Sequence, residues 1–300
     1  MMNINITNSK NGYHEFLSPN DDVNGLMIIS HGMAEHIGRY EWLISQLNTD
    51  GYHVIASDHR GHGVNILNGS TPGLFSLQDG WTKVSNDLLD TIIYAQNKFK
   101  NKKTYLIGHS MGSWIALSIL DKNVHLDGLV LTGSSKISNQ LIYIQKSVIK
   151  AESILKGPTA VSSVMDKLTI RKFNDQYKPN RTPNDWISRD KDSVDNYTAD
   201  PLCGFQVTNS LWNDLSNGLL EVFKKNFYLE SNKKIPILIM SGKFDAASSN
   251  GKMAISLHKF LDSIFMKTSI ILMDDARHEV FTELNKLEAY KKFKLFIMNL

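Results

Sequence analysis

One pentapeptide, Gly108-His109-Ser110-Met111-Gly112, joins the apolar segment 105–107 directly to the helical segment 111–120. A turn this tight between a buried strand and a helix needs small residues on both sides of the serine, because bulky side chains would collide. The Ser110 hydroxyl then stands exposed at the carboxyl end of the strand. In this context the pentapeptide predicts a nucleophile on a strand-to-helix elbow, whereas elsewhere it would be an ordinary glycine-rich turn.

Short apolar segments alternate with helical ones through most of the chain. Segments rich in β-branched residues predict strands at 26–30, 52–58, 105–107, 129–131, 236–240 and 269–273. Apolar residues at helical spacing predict helices at 40–48, 81–99, 111–120 and 284–300. This order is typical of a mostly parallel central sheet with helices on both faces. Together with the elbow, it predicts the α/β-hydrolase fold.

The alternation breaks after Gly133, and no clear strand follows until 236. Connections within α/β units are far shorter than this gap. We therefore predict a hydrolase core in two parts, 1–135 and 231–300, with a helical cap inserted at 136–230. Within the cap, apolar residues from Ile137 to Ile149 recur at helical spacing and indicate an amphipathic helix, whereas 178–184 indicates a loop.

Composition excludes several classes of protein. The 300 residues are 42% hydrophobic, enough for a large core, and the formal charge of +3 gives no reason to expect nucleic acid as a partner. Cys203 is the one cysteine, so no internal disulfide can form. The sequence shows neither a secretory signal nor a transmembrane run, and a cytoplasmic location is the simplest interpretation.

A serine hydroxyl is a weak nucleophile near neutral pH, so it needs a base and an orienting carboxylate. In this fold the acid follows the serine along the chain and the histidine comes last. Asp245 follows the strand 236–240, and His278 follows the strand 269–273. We predict Ser110, Asp245 and His278 as the catalytic triad, with Asp274 and Asp275 as competing acids. His109 is expected to point away from Ser110.

The tetrahedral intermediate of such a reaction also needs hydrogen-bond donors for its oxyanion. The backbone N–H of Met111 lies at the amino end of a helix, where the helix dipole assists. The loop His31-Gly32-Met33 follows the first central strand, and its glycine lets the backbone turn inward. We predict the N–H groups of Met33 and Met111 as the oxyanion hole.

Four motifs make the chain resemble the monoacylglycerol lipase and lysophospholipase group of α/β-hydrolases. They are His-Gly-x-x-Glu-His-x-x-Arg-Tyr at 31–40, Asp-His-Arg-Gly-His-Gly at 58–63, the elbow at 108–112, and Ser-Arg-Asp at 188–190 leading to Asp-Pro-Leu at 200–202. The resemblance covers nearly the whole chain. It implies the same triad and the same oxyanion hole.

The resemblance also implies a cap lined with apolar side chains that hold an acyl chain, and we expect Ile137, Leu141, Ile144, Val148, Leu155 and Val164 among them. Tyr197 matches a cap tyrosine near the polar end of the substrate. Glu35, His36 and Arg39 are expected to brace the loop that starts at His31 and carries Met33, called the oxyanion loop below. The remaining motif positions, His31, Gly32, Gly108 and Gly112, are expected to support the site.

These features predict a serine hydrolase that cleaves carboxylic esters of single-chain lipids, a monoacylglycerol or a lysophospholipid. A capped serine peptidase and a general short-chain carboxylesterase of the same fold remain alternatives. Ser110 argues against epoxide hydrolases and dehalogenases, which place aspartate at the elbow. No zinc-type spacing or phosphate-binding glycine loop appears, so no metal or cofactor is expected. Transient membrane contact is expected through the cap, and the oligomeric state is left open.

Overall fold

The computed structural model describes residues 12–122 and 124–300, and within them seven strands form one sheet. The strands are β1 (His14–Phe16), β2 (Gly25–Ser30), β3 (Tyr52–Ala56), β4 (Thr104–His109), β5 (Gly128–Thr132), β6 (Pro236–Gly242) and β7 (Lys267–Met273). Their order across the sheet is β1-β3-β2-β4-β5-β6-β7. Strand β1 is antiparallel to β3, and every other pairing is parallel.

The described α-helices are α1 (Glu41–Thr49), α2 (Val64–Leu67), α3 (Gly80–Lys98), α4 (Met111–Ser118), α5 (Asn139–Lys156), α6 (Ser163–Asp166), α7 (Lys172–Asp175), α8 (Lys191–Ala199), α9 (Asn209–Val222), α10 (Lys252–Asp262) and α11 (Lys286–Met298). Helices α3, α4 and α10 cover one face of the sheet, with α9 packed on α3 and α4, and α1 and α11 cover the other face. The prediction of an α/β-hydrolase fold is confirmed.

Strand β2 shows why the sheet needs both layers of helices. Leu26 and Ile28 pack into the core on one face, whereas Met27 and Ile29 pack into the core on the other. Successive side chains of a strand point to opposite faces, so a continuous apolar run is stable only when both faces are covered. The same reason explains why β4 and β5 are buried at every position.

The structure differs from the sequence-based elements in a few places. The strand predicted at 52–58 ends at Ala56, and Ser57 and Asp58 belong to the loop that follows. Strand β1 and helix α10 were not predicted. Strand β1 has three residues, too few for a visible period, and it lies at the sheet edge beside β3.

The segment predicted as a cap contains helices α5 to α9. A small separate core within it joins Trp186, Ile187, Val194, Tyr197 and Cys203. Helix α9 packs against α5 and also contacts α3 and α4, so its apolar face belongs to the main core. The division at 136 and 230 stays a prediction.

Strand register brings the functional loops to one edge of the sheet. Ser30 of β2 pairs with Gly108 of β4, and His109 pairs with Thr132 of β5. Gly242 of β6 pairs with Met273 of β7. Because these strands are parallel and end at similar heights, the loops after them share the carboxyl edge, where ligands bind in open α/β sheets.

Candidate active site

Ser110 occupies the turn between β4 and α4 with a backbone φ of 50° and ψ of −119°. Such a left-handed conformation is strained for any residue but glycine, and strain of this kind clusters at active sites. The Ser110 N–H donates to the Thr132 carbonyl at 2.9 Å, which helps hold the turn. A β-carbon on Gly108 would lie 2.7 Å from the Ser113 α-carbon, and one on Gly112 would lie 2.2 Å from the Ser30 carbonyl oxygen. The elbow therefore needs both glycines.

The structure brings Asp245 to His278. The His278 Nδ1 lies 3.0 Å from Asp245 Oδ1, and both side chains are buried. The Ala247 N–H also donates to Asp245 Oδ1, at 2.9 Å. The competing acids Asp274 and Asp275 are exposed, and Asp274 pairs with Lys243 instead. Ser110 and His278 line the same cavity.

Two opposing effects set the pKa of His278. Burial lowers it, but the charge and hydrogen bond of Asp245 raise it, and the nearby Glu279 and Glu35 raise it further. The net result is a pKa above the ordinary 6.5. A histidine in this state is a stronger base than a free imidazole, as proton abstraction from a serine requires.

The two N–H groups predicted as the oxyanion hole remain available as hydrogen-bond donors. Among the described residues, neither the Met33 nor the Met111 N–H donates to a protein acceptor. Met111 is the first residue of α4, where backbone N–H groups lack helical partners. Met33 and Met111 also line the cavity with Ser110.

Glu35 holds the oxyanion loop from behind. Its Oε1 accepts hydrogen bonds from the Gly32 N–H and, at 2.7 Å, from the Tyr40 hydroxyl. Burial and the charge of Glu279 raise the pKa of Glu35 to about 7. Arg39 forms an ion pair with Glu279 instead, with Arg39 Nη2 2.8 Å from Glu279 Oε2. Hydrogen bonds therefore fix Glu35 in place without an ion pair of its own.

The cap holds the same loop from the other side. Tyr197 donates its hydroxyl to the Ala34 carbonyl at 3.0 Å, and the Gly204 N–H donates to that oxygen at 2.9 Å. Ala34 has a φ of 53°, so its backbone would not keep this conformation without support. Tyr197 also lines the cavity, with Arg39 lying 5.1 Å from the centre of its ring.

His31 and Asp58 anchor the start of the loop. His31 Nδ1 donates to the Gly32 carbonyl at 2.8 Å, because its Nε2 accepts the His59 N–H at 2.9 Å. Asp58 accepts the N–H groups of Ile37 and Val64, each at 2.9 Å. These hydrogen bonds join the loop after β2 to the loop after β3.

His36, Asp200 and Cys203 form the one group of potential metal ligands found among the described residues. The Gly38 N–H donates to His36 Nδ1 at 3.1 Å, so the proton of the neutral ring is on Nε2 and is donated to Asp200 Oδ2 at 2.8 Å. A metal ion could bind here only by displacing the Nε2 proton and the thiol proton of Cys203, whose pKa is raised by burial. The group is a hydrogen-bonded joint between the oxyanion loop and the cap.

Three features of the site were missed from the sequence. Glu279 directly follows His278 and pairs with Arg39, but nothing in its sequence context indicates this. Trp186 packs against His278, and no motif marks it. His109 bonds Thr132 Oγ1 at 2.9 Å and also packs on His278, with its pKa lowered to about 3 by burial and by that neighbour.

The cavity beside Ser110 has a volume of about 450 Å³. Its cap wall is largely apolar and includes Ile137, Leu141, Ile144, Val148, Leu168, Ile170 and Phe173. Two side chains expected there lie elsewhere: Leu155 is 83% exposed and Val164 is 38% exposed, and neither lines the cavity. Leu155 is in the last turn of α5, where the helix extends past the cavity.

A second, more polar cavity of about 570 Å³ lies behind the oxyanion loop. Glu35, His109 and Glu279 line both cavities and therefore lie between them. The second cavity also exposes Arg39 and Asn196. A charged, hydrogen-bonding cavity thus adjoins the largely apolar one that contains Ser110.

The fold and the nucleophile elbow together define an α/β-hydrolase, in which Ser110, Asp245 and His278 are the predicted triad. The sequence profile of the Hydrolase_4 family, described as serine aminopeptidase, S33, matches residues 21–285, and the chain belongs to this family.

Named relatives agree with the predicted group. Monoglyceride lipase of Rattus norvegicus is 27% identical over 77% of this chain and 68% of its own length. A monoglyceride lipase homolog of Monkeypox virus is 22% identical over 96% of this chain and 94% of its own. Among solved structures, a carboxyl esterase from Bacillus coagulans in complex with glycerol superposes with a TM-score of 0.84 at 22% identity, covering 96% of this chain and 93% of that one. The predicted resemblance to the monoacylglycerol lipase group is confirmed.

Proposed function

We propose that this carboxylic ester hydrolase cleaves the esters of single-chain lipids through an acyl-enzyme on Ser110. The observation that carries the proposal is the cavity around Ser110, which is apolar along the cap and has polar groups at Glu35 and Tyr197. A monoacylglycerol or a lysophospholipid has the same division into an acyl chain and a polar head. The relatives named as monoglyceride lipases support this substrate class.

The proposed reaction begins with proton transfer from Ser110 Oγ to His278 Nε2 as the oxygen attacks the ester carbonyl. Asp245 holds the Nδ1–H and stabilises the imidazolium that forms. The N–H groups of Met33 and Met111 donate to the carbonyl oxygen as it becomes an oxyanion. His278 then gives its proton to the leaving alcohol, and the acyl group remains on Ser110. A water molecule, deprotonated by His278, releases the fatty acid by the same steps.

The size of the cavity favours one acyl chain. Pockets of about 300–1,000 Å³ bury most of a small ligand, and 450 Å³ next to the serine leaves no space for three chains. We expect kcat/KM to increase with acyl length until the apolar side is full. Each buried methylene contributes about 0.8 kcal/mol, a gain of roughly fourfold at most.

A panel of substrates tests the proposal. Purified enzyme would be given monoacylglycerols from acetyl to palmitoyl, a lysophosphatidylcholine, a triacylglycerol and aminoacyl p-nitroanilides, and kcat/KM would be compared. Medium or long single-chain esters should be the best substrates. The family description names aminopeptidases. A preference for the anilides would therefore replace the lipid proposal with the peptidase alternative, and a preference for acetyl esters would favour a short-chain esterase.

Tyr197 is proposed to serve both the oxyanion loop and the polar head of the substrate. Its hydroxyl donates to Ala34, and the oxygen can still accept a hydrogen bond from a glycerol hydroxyl. Tyr197→Phe should lower kcat for a monoacylglycerol and for a p-nitrophenyl ester of equal chain length, because both reactions need the oxyanion loop. It should lower use of the monoacylglycerol further, by about threefold to tenfold for one lost hydrogen bond. An equal effect on both esters would leave Tyr197 as a loop support alone.

Transient contact with a lipid surface is proposed through the cap. Leu141 and Ile144 line the cavity and are 42% and 61% exposed, so its mouth presents apolar side chains to the outside. Tyr143 and Ile154 add to the exposed apolar surface of α5. Within the described residues no helix is long and apolar enough to cross a membrane. Sedimentation with phosphatidylcholine vesicles, compared between the wild type and Ile144→Glu, measures the contact, and equal binding would exclude this face.

A further inference from the structure

Trp186 lies in the cap segment between α7 and α8, yet it packs on the predicted catalytic base. The centre of its ring is 4.7 Å from the centre of the His278 ring, with the two planes at 38°. Trp186 is 7% exposed, so water has little access to this contact. Both residues line the cavity that contains Ser110.

Hydrogen bonds tie the segment 185–188 to both neighbours of His278. On one side, Arg277 Nη1 donates to the Asp185 carbonyl and, at 3.2 Å, to the Ser188 carbonyl. On the other side, the Glu279 N–H donates to the Ile187 carbonyl at 2.9 Å. These hydrogen bonds fix the segment 185–188 and the loop that carries His278 to each other. Trp186 is the member of the segment that reaches the imidazole.

The cap also fixes Trp186 itself. The backbone N–H of Trp186 donates to Asn174 Oδ1 at 3.0 Å. Its ring packs on the Phe173 ring, with the ring centres 5.5 Å apart. The indole Nε1 is buried and has no hydrogen-bond partner among residues 12–122 and 124–300. Buried indole N–H groups usually find a hydrogen-bond partner. Trp186 instead makes its side-chain contacts with Phe173 and His278 through the ring.

The chemistry of His278 explains what a ring at this position does. His278 becomes an imidazolium each time it accepts the Ser110 proton. The face of an indole attracts a cation more strongly than other aromatic rings do, and more so when water is excluded. A packed ring also limits rotation of the imidazole, and small misplacements of a catalytic group cost large factors in rate.

We propose that Trp186 is a positioning residue through which the cap holds His278 in its catalytic orientation and favours the imidazolium. This inference rests on the proposed function, because it assumes that His278 is the base. In this proposal the cap orients the catalytic base, in addition to lining the substrate cavity.

The test compares Trp186→Leu, Trp186→Phe and the control Trp81→Leu. Trp81 is also 7% exposed and has a buried indole Nε1 without a partner among the described residues, but it packs in the main core and lines neither cavity. For each, kcat and KM would be measured with p-nitrophenyl butyrate and p-nitrophenyl decanoate. Trp186→Leu should lower kcat on the order of tenfold to a hundredfold for both esters, since the base serves every substrate. Trp186→Phe should recover most of that loss, because a ring remains. Trp81→Leu should leave kcat and KM for both esters near the wild-type values.

The rate at which a small fluorophosphonate labels Ser110 gives a second readout. The probe needs the base but not the acyl pocket, so labelling should slow in Trp186→Leu and stay near the wild-type rate in Trp81→Leu. Thermal melting would confirm that each variant is folded, and if Trp186→Leu does not fold, Trp186→His against Trp186→Phe provides the comparison.

Two outcomes would overturn the inference. One is a normal kcat in folded Trp186→Leu, and the other is a loss confined to the decanoate, which would make Trp186 a wall of the acyl pocket. Neither outcome touches the proposed function, which is tested separately by the substrate preference of the wild type.

Discussion

Ser110→Ala should lower kcat/KM for a medium-chain ester by a thousandfold or more while the protein stays folded. Loss of the nucleophile of a triad usually costs at least about this factor, and the residual rate comes from binding and the oxyanion hole. The fold should survive because a methyl group fits wherever the hydroxymethyl group fits. The strained turn around position 110 is held by the Thr132 carbonyl and by two glycines, none of which depends on the hydroxyl.

Ser113→Ala is the matched control. Ser113 is a neighbouring buried serine in α4, and its hydroxyl lies 2.5 Å from the Ser110 carbonyl oxygen and 2.6 Å from the Ser134 hydroxyl. Its loss should cost stability but leave most of the activity. Mass spectrometry after fluorophosphonate treatment should find the label on Ser110. Label on another residue, or full activity in folded Ser110→Ala, would remove Ser110 from the mechanism.

Asp245→Asn should lower kcat by about ten-thousandfold, the scale known for loss of the triad carboxylate. The carboxylate accepts the Nδ1 proton of His278, leaving Nε2 free to take the proton of Ser110. An amide can present its NH₂ group to Nδ1 and reverse the tautomer. The amide also lacks the negative charge that stabilises the imidazolium.

The pH dependence provides an independent measure of the same pair. His278 must be neutral to act as a base, so kcat/KM should increase as the pH rises through its pKa. Because Asp245 and Glu279 outweigh burial, the midpoint in the wild type should lie above 6.5. Asp245→Asn should lower the midpoint, because the main source of the upward shift is gone. Glu279→Gln should lower it by a smaller amount.

Asp274→Asn is the control for this prediction. Asp274 was a competing acid from the sequence, and the structure places it on the surface beside Lys243. Its replacement should leave both the rate and the pH midpoint near the wild-type values. An inactive Asp274→Asn with an active Asp245→Asn would reverse the assignment of the acid.

Local patterns predicted the parts of the site that depend on one strand and the loop after it. The elbow combines an apolar run, two glycines and a helix within a few residues, so it is visible in the sequence. Asp245 and His278 were found for a related reason: each follows a buried strand, and parallel strands deliver their loops to one edge. The fold class follows from the same alternation.

Contacts between distant segments could not be predicted in this way. Arg39 and Glu279 are 240 positions apart, and Tyr197 and Ala34 are 163 apart. A sequence pattern shows which face of an element is apolar, but not what meets that face or how far the partner surface extends. Leu155 illustrates the second limit: its spacing continues the apolar stripe of α5, and the helix simply runs beyond the cavity. Trp186 illustrates the first.

The two hydrogen bonds from Tyr197 and Gly204 to the Ala34 carbonyl bear on protein engineering. A chimera that exchanges this cap for that of another hydrolase would exchange more than substrate preference, because the loop carrying Met33 would lose both donors. Grafts that keep a hydroxyl at position 197 and the backbone turn at position 204 should retain turnover. Grafts that match only the apolar lining should bind an acyl chain and process it slowly. Recombination between relatives is therefore best planned with 31–40 and 197–204 inherited as one block.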